Sequence, residues 1–352
     1  MSLPGLTLPI AITPGDPCGI GPEIIAKAWI TAPELTRGCF VAGDVDLMRR
    51  AMSLVQGAPC FPVCEIESPA QALNVPPRCL PVMQVVPVAP PLPWGQIDAR
   101  SGRLAGEAVL WATRAALRGE ISAVVTAPLN KEALHAAGPP YDQYPGHTEL
   151  LQAESARHAG VTLTQMPVRM MLANDELRVV LVSIHLSLRE ALDAITGDRV
   201  LETLRITHHA LTPLLGRKPR IAIAGLNPHA GEGGLFGREE IEILQPCVSA
   251  ARTEGIDAQG PFAPDTVFMR ARQRPDGYRE FDVVIAMYHD QGLIPVKYLG
   301  VEQGVNVTLG LPLIRTSPDH GTAMDLAGQG KADASSMVQA IRMARHRVTD
   351  AT

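Results

Sequence analysis

Short runs of apolar residues alternate along the chain with longer stretches in which apolar and charged residues recur at helical spacing. Strands are predicted at residues 8–12, 82–88, 123–126, 179–184, 220–225 and 283–287. Helices are predicted from residue 22 onward and at residues 102–118, 199–215 and 238–254. Because strands and helices alternate, the pattern predicts an α/β fold with a mostly parallel sheet and helices on both faces.

Three of the predicted strands lead to a histidine. His185 follows the strand at 179–184, while His229 and His289 follow the later two. The carboxyl ends of parallel strands meet at one edge of a sheet, where α/β enzymes place their ligands. Neutral imidazoles suit Zn, Co, Mn or Ni, and three protein ligands leave a position open for substrate. The shared position therefore predicts a metal site, although each histidine alone also fits a structural hydrogen-bonding role.

Two aspartates accompany these histidines. Asp290 is next to His289, and Asp265 lies in the segment GPFAPDT at residues 260–266. Either carboxylate could complete the metal shell or orient a ligand. Each also fits a helix cap or a turn.

The length of 352 residues predicts two domains. A Pro/Gly/Tyr-rich interruption near residues 138–146 marks the boundary. We expect a first lobe of residues 1–140 plus 318–352 and a second lobe of residues 141–317. A cleft between two lobes is a common place for a small-molecule site.

Charge and composition narrow the possible partners. The net charge is −5, and no block of Lys and Arg indicates binding to nucleic acid or to an anionic membrane surface. No apolar run reaches the roughly 20 residues of a membrane helix, and the N-terminus does not resemble a signal peptide. The six cysteines are scattered, which is typical of free thiols in a reducing cytoplasm.

Several polar residues could bind an anion. His147 and Thr148 lie at the start of a predicted helix, and Lys297 and Arg315 follow strand-like segments. A helix cap or a solvated surface cation explains each of them almost as well. The glycine-rich segment at 13–23 lacks the third glycine of the dinucleotide fingerprint. It fits either a structural turn or a ligand-binding loop.

Together the motifs resemble one family, 4-hydroxythreonine-4-phosphate dehydrogenase of vitamin B6 biosynthesis and its paralogues. The resemblance covers residues 10–337. It rests on ITPGDP at 12–17, TAPLNK at 126–131, GHTE at 146–149, NPHAGE at 227–232, YHDQG at 288–292 and GVNVT at 304–308.

The resemblance implies a role for each site residue. His185, His229 and His289 match the ligands of a divalent metal (Zn, Mg, Co or Mn). The metal site would lie at a homodimer interface, with one ligand from the partner chain. The remaining matched positions are His147, Thr148, Lys297, Asn306 and Arg315 for substrate. Our candidates for catalysis are Asp265, Asp290 and Lys297.

The cofactor implied by the resemblance is NAD or NADP. The segment at 319–328 is similar to the adenosine-binding loop of isopropylmalate and isocitrate dehydrogenases, and it contains His320, Gly321 and Asp325. The implied fold is accordingly a two-lobed α/β/α architecture of that type, with a nucleotide site unlike the Rossmann site. This also explains the missing dinucleotide fingerprint.

The implied reaction is oxidation of the C3 hydroxyl of 4-phosphohydroxy-L-threonine, with hydride transfer to the nicotinamide and loss of CO2 from the β-keto acid. Residues 128–135 and 315–322 look more like a paralogous branch that oxidises D-threonate or D-erythronate 4-phosphate. Another branch oxidises aromatic cis-dihydrodiols, which lack a phosphate. The retained Gly146–Thr148 segment, Lys297 and Arg315 argue against that branch. A non-redox sensor of sugar phosphates is a further alternative.

Overall fold

A computed structural model describes residues 6–55, 61–88, 90–300 and 303–349. The strands are β1 Ile10–Thr13, β2 Cys39–Gly43, β3 Val63–Glu65, β4 Leu80–Gln84, β5 Ala123–Thr126, β6 Arg169–Ala173, β7 Arg178–Leu181, β8 Ile221–Ala224, β9 Ala258–Phe262, β10 Val283–Ala286, β11 Val305–Leu309 and β12 Arg315–Pro318. The α-helices are α1 Gly21–Thr31, α2 Val45–Ser53, α3 Ala99–Leu117, α4 Lys131–Ala136, α5 His147–Ala159, α6 Leu188–Asp193, α7 Gly197–Leu215, α8 Gln245–Thr253, α9 Val267–Ala271, α10 His289–Tyr298 and α11 Ser335–Thr349.

The chain divides into two compact units. One unit is Met1–Pro167 with Leu311–Asp350, and the other is Val168–Gly310. The predicted boundary near residue 140 differs from this division. Residues 141–167, which include α5, belong to the first unit because Leu150 and Leu151 of α5 pack against Val109 of α3.

The first unit is built on parallel strands in the order β3-β4-β2-β1-β5-β12. Side chains alternate between the two faces of a strand. Ala11 and Phe40 therefore face one side, where they pack against Ala112 and Ala115 of α3. On the other side α11 covers β12, and Thr316 donates a hydrogen bond to the carbonyl of Ala340 (2.8 Å).

The second unit has strands in the order β11-β6-β7-β10-β8-β9. Strands β7, β10, β8 and β9 run parallel, whereas β6 pairs antiparallel with both β11 and β7. One apolar cluster of this unit joins Val179, Ala222 and Val284 to Leu293 and Val296 of α10. The three strands predicted to lead to histidines, β7, β10 and β8, are therefore neighbours.

The α/β class predicted from the sequence is confirmed, and most element boundaries agree within a few residues. The strand at 123–126 is found as predicted. The strand predicted at 82–88 ends at Gln84, ahead of Pro87, which has no N–H for a ladder. The helix predicted at 238–254 begins with a π-helical turn at Glu240–Leu244 before α8. In the described part of the chain, no helix is long and apolar enough to cross a bilayer.

Candidate active site

Two of the three predicted metal ligands lie together in the second unit. The imidazole rings of His185 and His289 have their centroids 5.8 Å apart and are tilted by 40°. They line an open depression of about 260 Å³ together with Tyr288 and Asp290. Rings this close would be able to contribute one nitrogen each to a single divalent ion.

Asp290 fixes the orientation of His289. The Nδ1 atom of His289 lies 2.7 Å from a carboxylate oxygen of Asp290. This contact engages Nδ1, so Nε2 is the other ring nitrogen, and the residue is the first of α10. A carboxylate that holds one ring nitrogen while the other remains available is typical of metal-binding histidines.

The third histidine is separate from this pair. His229 begins a run of six residues, His229 to Gly234, that all have positive φ. Its ring packs against Phe236 at a centroid distance of 6.3 Å. Among the described residues of the single chain, no group of three or more His, Cys, Asp or Glu side chains is placed to hold a metal ion.

The other predicted residues of the second unit are spread over different elements. Asp265 is exposed in the segment between β9 and α9. Lys297 lies in the last turn of α10 and is partly exposed. Asn306 lies on β11, opposite Leu172 of β6.

In the first unit, His147 and Arg315 form a cationic site at the start of α5. His147 and Thr148 are its first two residues, and Gly146 precedes them without a side-chain cap. The uncapped N–H groups of a helix start favour an anion. Arg315 is buried and donates hydrogen bonds from Nε and Nη2 to Thr126 Oγ1 at 3.2 and 2.8 Å.

The electrostatics of this site indicate an anion as its ligand. Burial lowers the pKa of Arg315 to about 10, and Glu149 opposes that shift. Burial, and then the positive charge of Arg315, hold the pKa of His147 well below its ordinary value. The buried Nε2 atom of His147 has no hydrogen-bond partner among the described residues.

Two residues of this site were not among the predicted site residues. Thr126 is the last residue of β5 and positions the guanidinium of Arg315. Lys131 has its Cε 3.7 Å from the point where a Cβ on Gly146 would lie. Both belong to the TAPLNK motif at residues 126–131, which begins at the end of the buried strand β5. That position in the sequence could have indicated that they belong to the site.

The predicted cofactor residues lie in a loop packed on the glycine-rich N-terminal segment. The N–H of Ile20 donates to the carbonyl of Thr322 (3.0 Å). A Cβ on Gly19 would meet Thr322 at 3.0 Å, so this close packing favours glycine. His320, Gly321 and Asp325 are exposed.

Comparison with known proteins identifies the family. A sequence model of the family described as "Pyridoxal phosphate biosynthetic protein PdxA" matches residues 35–344. Together with relatives named as dehydrogenases, this match defines the class as an α/β oxidoreductase. The chain belongs to the PdxA family.

Individual relatives agree with this assignment. A 4-hydroxythreonine-4-phosphate dehydrogenase of Beijerinckia indica is 48% identical over 94% of this chain and 92% of its own length. A D-threonate 4-phosphate dehydrogenase of Pectobacterium atrosepticum is 45% identical over 95% of this chain and 98% of its own. A crystal structure of 4-hydroxythreonine-4-phosphate dehydrogenase from Klebsiella pneumoniae has a TM-score of 0.84 at 43% identity, covering 97% of this chain and 100% of that one.

The family establishes the enzyme class and a nicotinamide-type cofactor in general. The chain is a dehydrogenase, and decarboxylation is part of the family reaction.

Proposed function

We propose that this enzyme catalyses the metal-dependent, NAD(P)-linked oxidation and decarboxylation of 4-phosphohydroxy-L-threonine. The observation that carries the substrate class is the buried Arg315 beside His147 at the uncapped start of α5. A guanidinium can bind a phosphate bidentately, and the N–H groups of the helix start add further donors.

The phosphate would thus be bound by groups of the first unit. His147 and Thr148 contribute side chains and N–H groups, Arg315 contributes the fixed charge, and Lys131 adds a second cation. Because the pKa of His147 is lowered, its imidazole is neutral at pH 7 and can donate one hydrogen bond to a phosphate oxygen. Binding the phosphate in this way orients the carbon that is oxidised.

The metal-binding groups belong to the second unit. His185 and His289 fit a divalent ion because their rings are close and Asp290 leaves Nε2 of His289 available. We propose Zn, Mg, Co or Mn as the ion and His229 as the third ligand. When bound, the metal would lower the pKa of the substrate hydroxyl and stabilise negative charge on that oxygen during both chemical steps.

A second copy of the chain would complete the ligand set. His229 lies apart from the other two histidines, and apolar side chains are exposed beside both positions. Leu188 is 60% exposed near His185, and Leu235 is 73% exposed near His229. Apolar side chains on both surfaces suit a homodimer interface.

Other residues of the second unit would bind and protonate the substrate. Lys297 and Asn306 supply donors for the polar groups around the oxidised carbon. Asp265 is exposed and can accept the hydroxyl proton, while Asp290 contributes by orienting His289. The resulting β-keto acid loses CO2, and Lys297 can return a proton to the carbon left behind.

The cofactor would bind at the loop that contains His320, Gly321 and Asp325. A Cβ on Gly321 would have no neighbour within 4 Å, so a ligand can approach the backbone closely there. The carboxylate of Asp325 suits a ribose hydroxyl. A cytoplasmic location accords with an NAD(P)-linked enzyme whose described cysteines are free thiols.

D-threonate 4-phosphate is the second candidate substrate. The 45% identical relative from Pectobacterium atrosepticum carries that name. This substrate has a hydroxyl where the first candidate has an amino group, so the phosphate site and the metal site would serve both.

Removal of the metal tests the proposal. Protein treated with a chelator should form no NADH from 4-phosphohydroxy-L-threonine and NAD, and addition of Co²⁺ or Zn²⁺ should restore the rate. A rate that is unchanged after complete metal removal would contradict the metal-dependent mechanism.

A further inference from the structure

Two of the three predicted metal-binding histidines have unfavourable backbone conformations. His185 has a φ of 48° and His229 a φ of 51°. Residues other than glycine rarely adopt positive φ, because it brings their Cβ into steric conflict with the backbone. Conformations of this kind persist only when surrounding contacts hold them.

The first of these contacts joins the ends of β7 and β10. The N–H and the hydroxyl of Ser183 both donate to the carbonyl of Met287, at 3.2 and 2.9 Å. Ser183 precedes His185 by two residues, and Met287 precedes His289 by two residues. The two hydrogen bonds therefore fix the spacing of the segments that lead to these histidines.

Gln291 makes the second connection, between the ends of β10 and β8. Its Oε1 accepts the N–H of Met287 at 2.7 Å. Its Nε2 donates to the carbonyl of Gly225, also at 2.7 Å. Because Met287 offers only a donor here and Gly225 only an acceptor, the orientation of the amide is unambiguous.

Glu240 holds the segment that continues from Gly225 toward His229. Its side chain is 1% exposed and lies at the first residue of the π-helical turn. It accepts the N–H groups of Leu226 and Asn227 at 2.7 and 2.8 Å and the side-chain amide of Asn227 at 3.0 Å. A continuous set of hydrogen bonds thus runs from Ser183 through Gln291 to Asn227.

We infer that Gln291 is the positioning residue that anchors the segment before His289 to the end of β8 and thereby tunes metal affinity. Among these hydrogen bonds, the side chain of Gln291 contacts two histidine-bearing segments at once, through Met287 and Gly225. Its two hydrogen bonds hold the segment before His289 against the segment before His229. This role rests on the proposed metal-dependent function.

Gln291→Glu tests the role with almost no change in shape. The carboxylate can still accept the N–H of Met287, but it cannot donate to the carbonyl of Gly225 and instead repels it. Loss of a group that orients metal ligands typically weakens metal binding by about ten- to hundredfold. Gln291→Met removes both hydrogen bonds at similar length and serves as the second variant.

A matched control exists in the first unit. Gln84 accepts the N–H of Val45 at 2.9 Å and donates to the carbonyl of Val86 at 2.7 Å, as Gln291 accepts one N–H and donates to one carbonyl, and it also donates to Asp44 Oδ2 at 3.2 Å. Gln84→Glu should therefore disturb local stability at least as much without touching the histidine segments. Thermal melting followed by circular dichroism reports whether each variant is folded.

The measurement is the affinity of the purified, metal-free proteins for Co²⁺, by calorimetric titration and by the visible absorption spectrum of the bound ion. We expect at least about tenfold weaker binding and an altered spectrum for folded Gln291→Glu, with wild-type behaviour for Gln84→Glu. Binding within twofold of wild type, with the same spectrum, would overturn the role of Gln291.

If Gln291→Met does not fold, the Co²⁺ affinity of Gln291→Glu alone tests the role. If the wild type itself binds no Co²⁺, the metal assignment falls and this role falls with it, so the two failures are distinguishable.

Discussion

His185 and His289 hold their imidazole rings 5.8 Å apart at the ends of two neighbouring parallel strands, β7 and β10. Loss of either ring would leave a metal ion with too few protein ligands. We expect His289→Ala to abolish turnover and to reduce the bound metal, measured by elemental analysis, to trace amounts. The fold should survive, because the His289 side chain is 38% exposed.

His209→Ala is the matched control for this prediction. His209 is an exposed histidine on α7, hydrogen-bonded to the carbonyl of Arg205. Its loss should leave both metal content and turnover at wild-type values. Retained turnover in His289→Ala would remove this histidine from the active site.

Mixed dimers test whether a second copy completes the metal site. His229→Ala and His289→Ala should each be inactive as pure proteins. If His229 of one copy joins His185 and His289 of the other, refolding the two variants together should restore roughly a quarter of wild-type activity, because half the dimers are mixed and each has one intact site. Ligands drawn from a single chain would restore none.

Arg315→Ala should weaken binding of phosphorylated substrates. Loss of a charge-assisted contact costs about 1.5–3 kcal/mol, which corresponds to a roughly ten- to hundredfold increase in KM. Arg118→Ala is the control, since Arg118 forms an exposed ion pair with Glu120 on the surface of the same unit. Initial rates at varied substrate concentration give the KM of each variant. An unchanged KM for Arg315→Ala would reject its phosphate-binding role.

His147 should make stability depend on pH. Burial and Arg315 lower its pKa in the folded protein below the ordinary value of 6.5, so below pH 6.5 the unfolded chain binds a proton that the folded chain does not. The free energy of unfolding therefore falls as the pH drops through that value. Chemical denaturation of wild type and His147→Gln at pH 7.5 and 5.5 should show a smaller loss in the variant. Equal losses would contradict the lowered pKa.

The sequence pattern predicted that the histidines following the ends of β7 and β10 lie close together. His185 and His289 each follow a buried apolar strand, and the structure brings their rings together. The conformation at His229 could not be predicted, because His229, Ala230 and Glu232 all adopt positive φ, which their residue types disfavour. The side chain of Glu240, 14 residues beyond Leu226, supports the segment leading to that turn.

The placement of the phosphate site also depends on tertiary contacts. The Pro/Gly-rich segment near residue 140 has the composition of a domain boundary, yet α5 packs on α3 through Leu150 and Leu151. The ion pair between Arg114 and the nearly buried Glu154 adds to that packing. His147 and Arg315, which the expected boundaries placed in the second lobe, consequently lie together in the first unit.

The most direct test of the account is a comparison of initial rates on two substrates. Purified enzyme with NAD and Co²⁺ or Zn²⁺ would receive 4-phosphohydroxy-L-threonine in one assay and D-threonate 4-phosphate in the other, with NADH formation as the readout. We predict turnover that requires the metal, with the higher kcat/KM on 4-phosphohydroxy-L-threonine. A higher kcat/KM on D-threonate 4-phosphate would assign the second candidate reaction, and no turnover of either substrate would contradict the account.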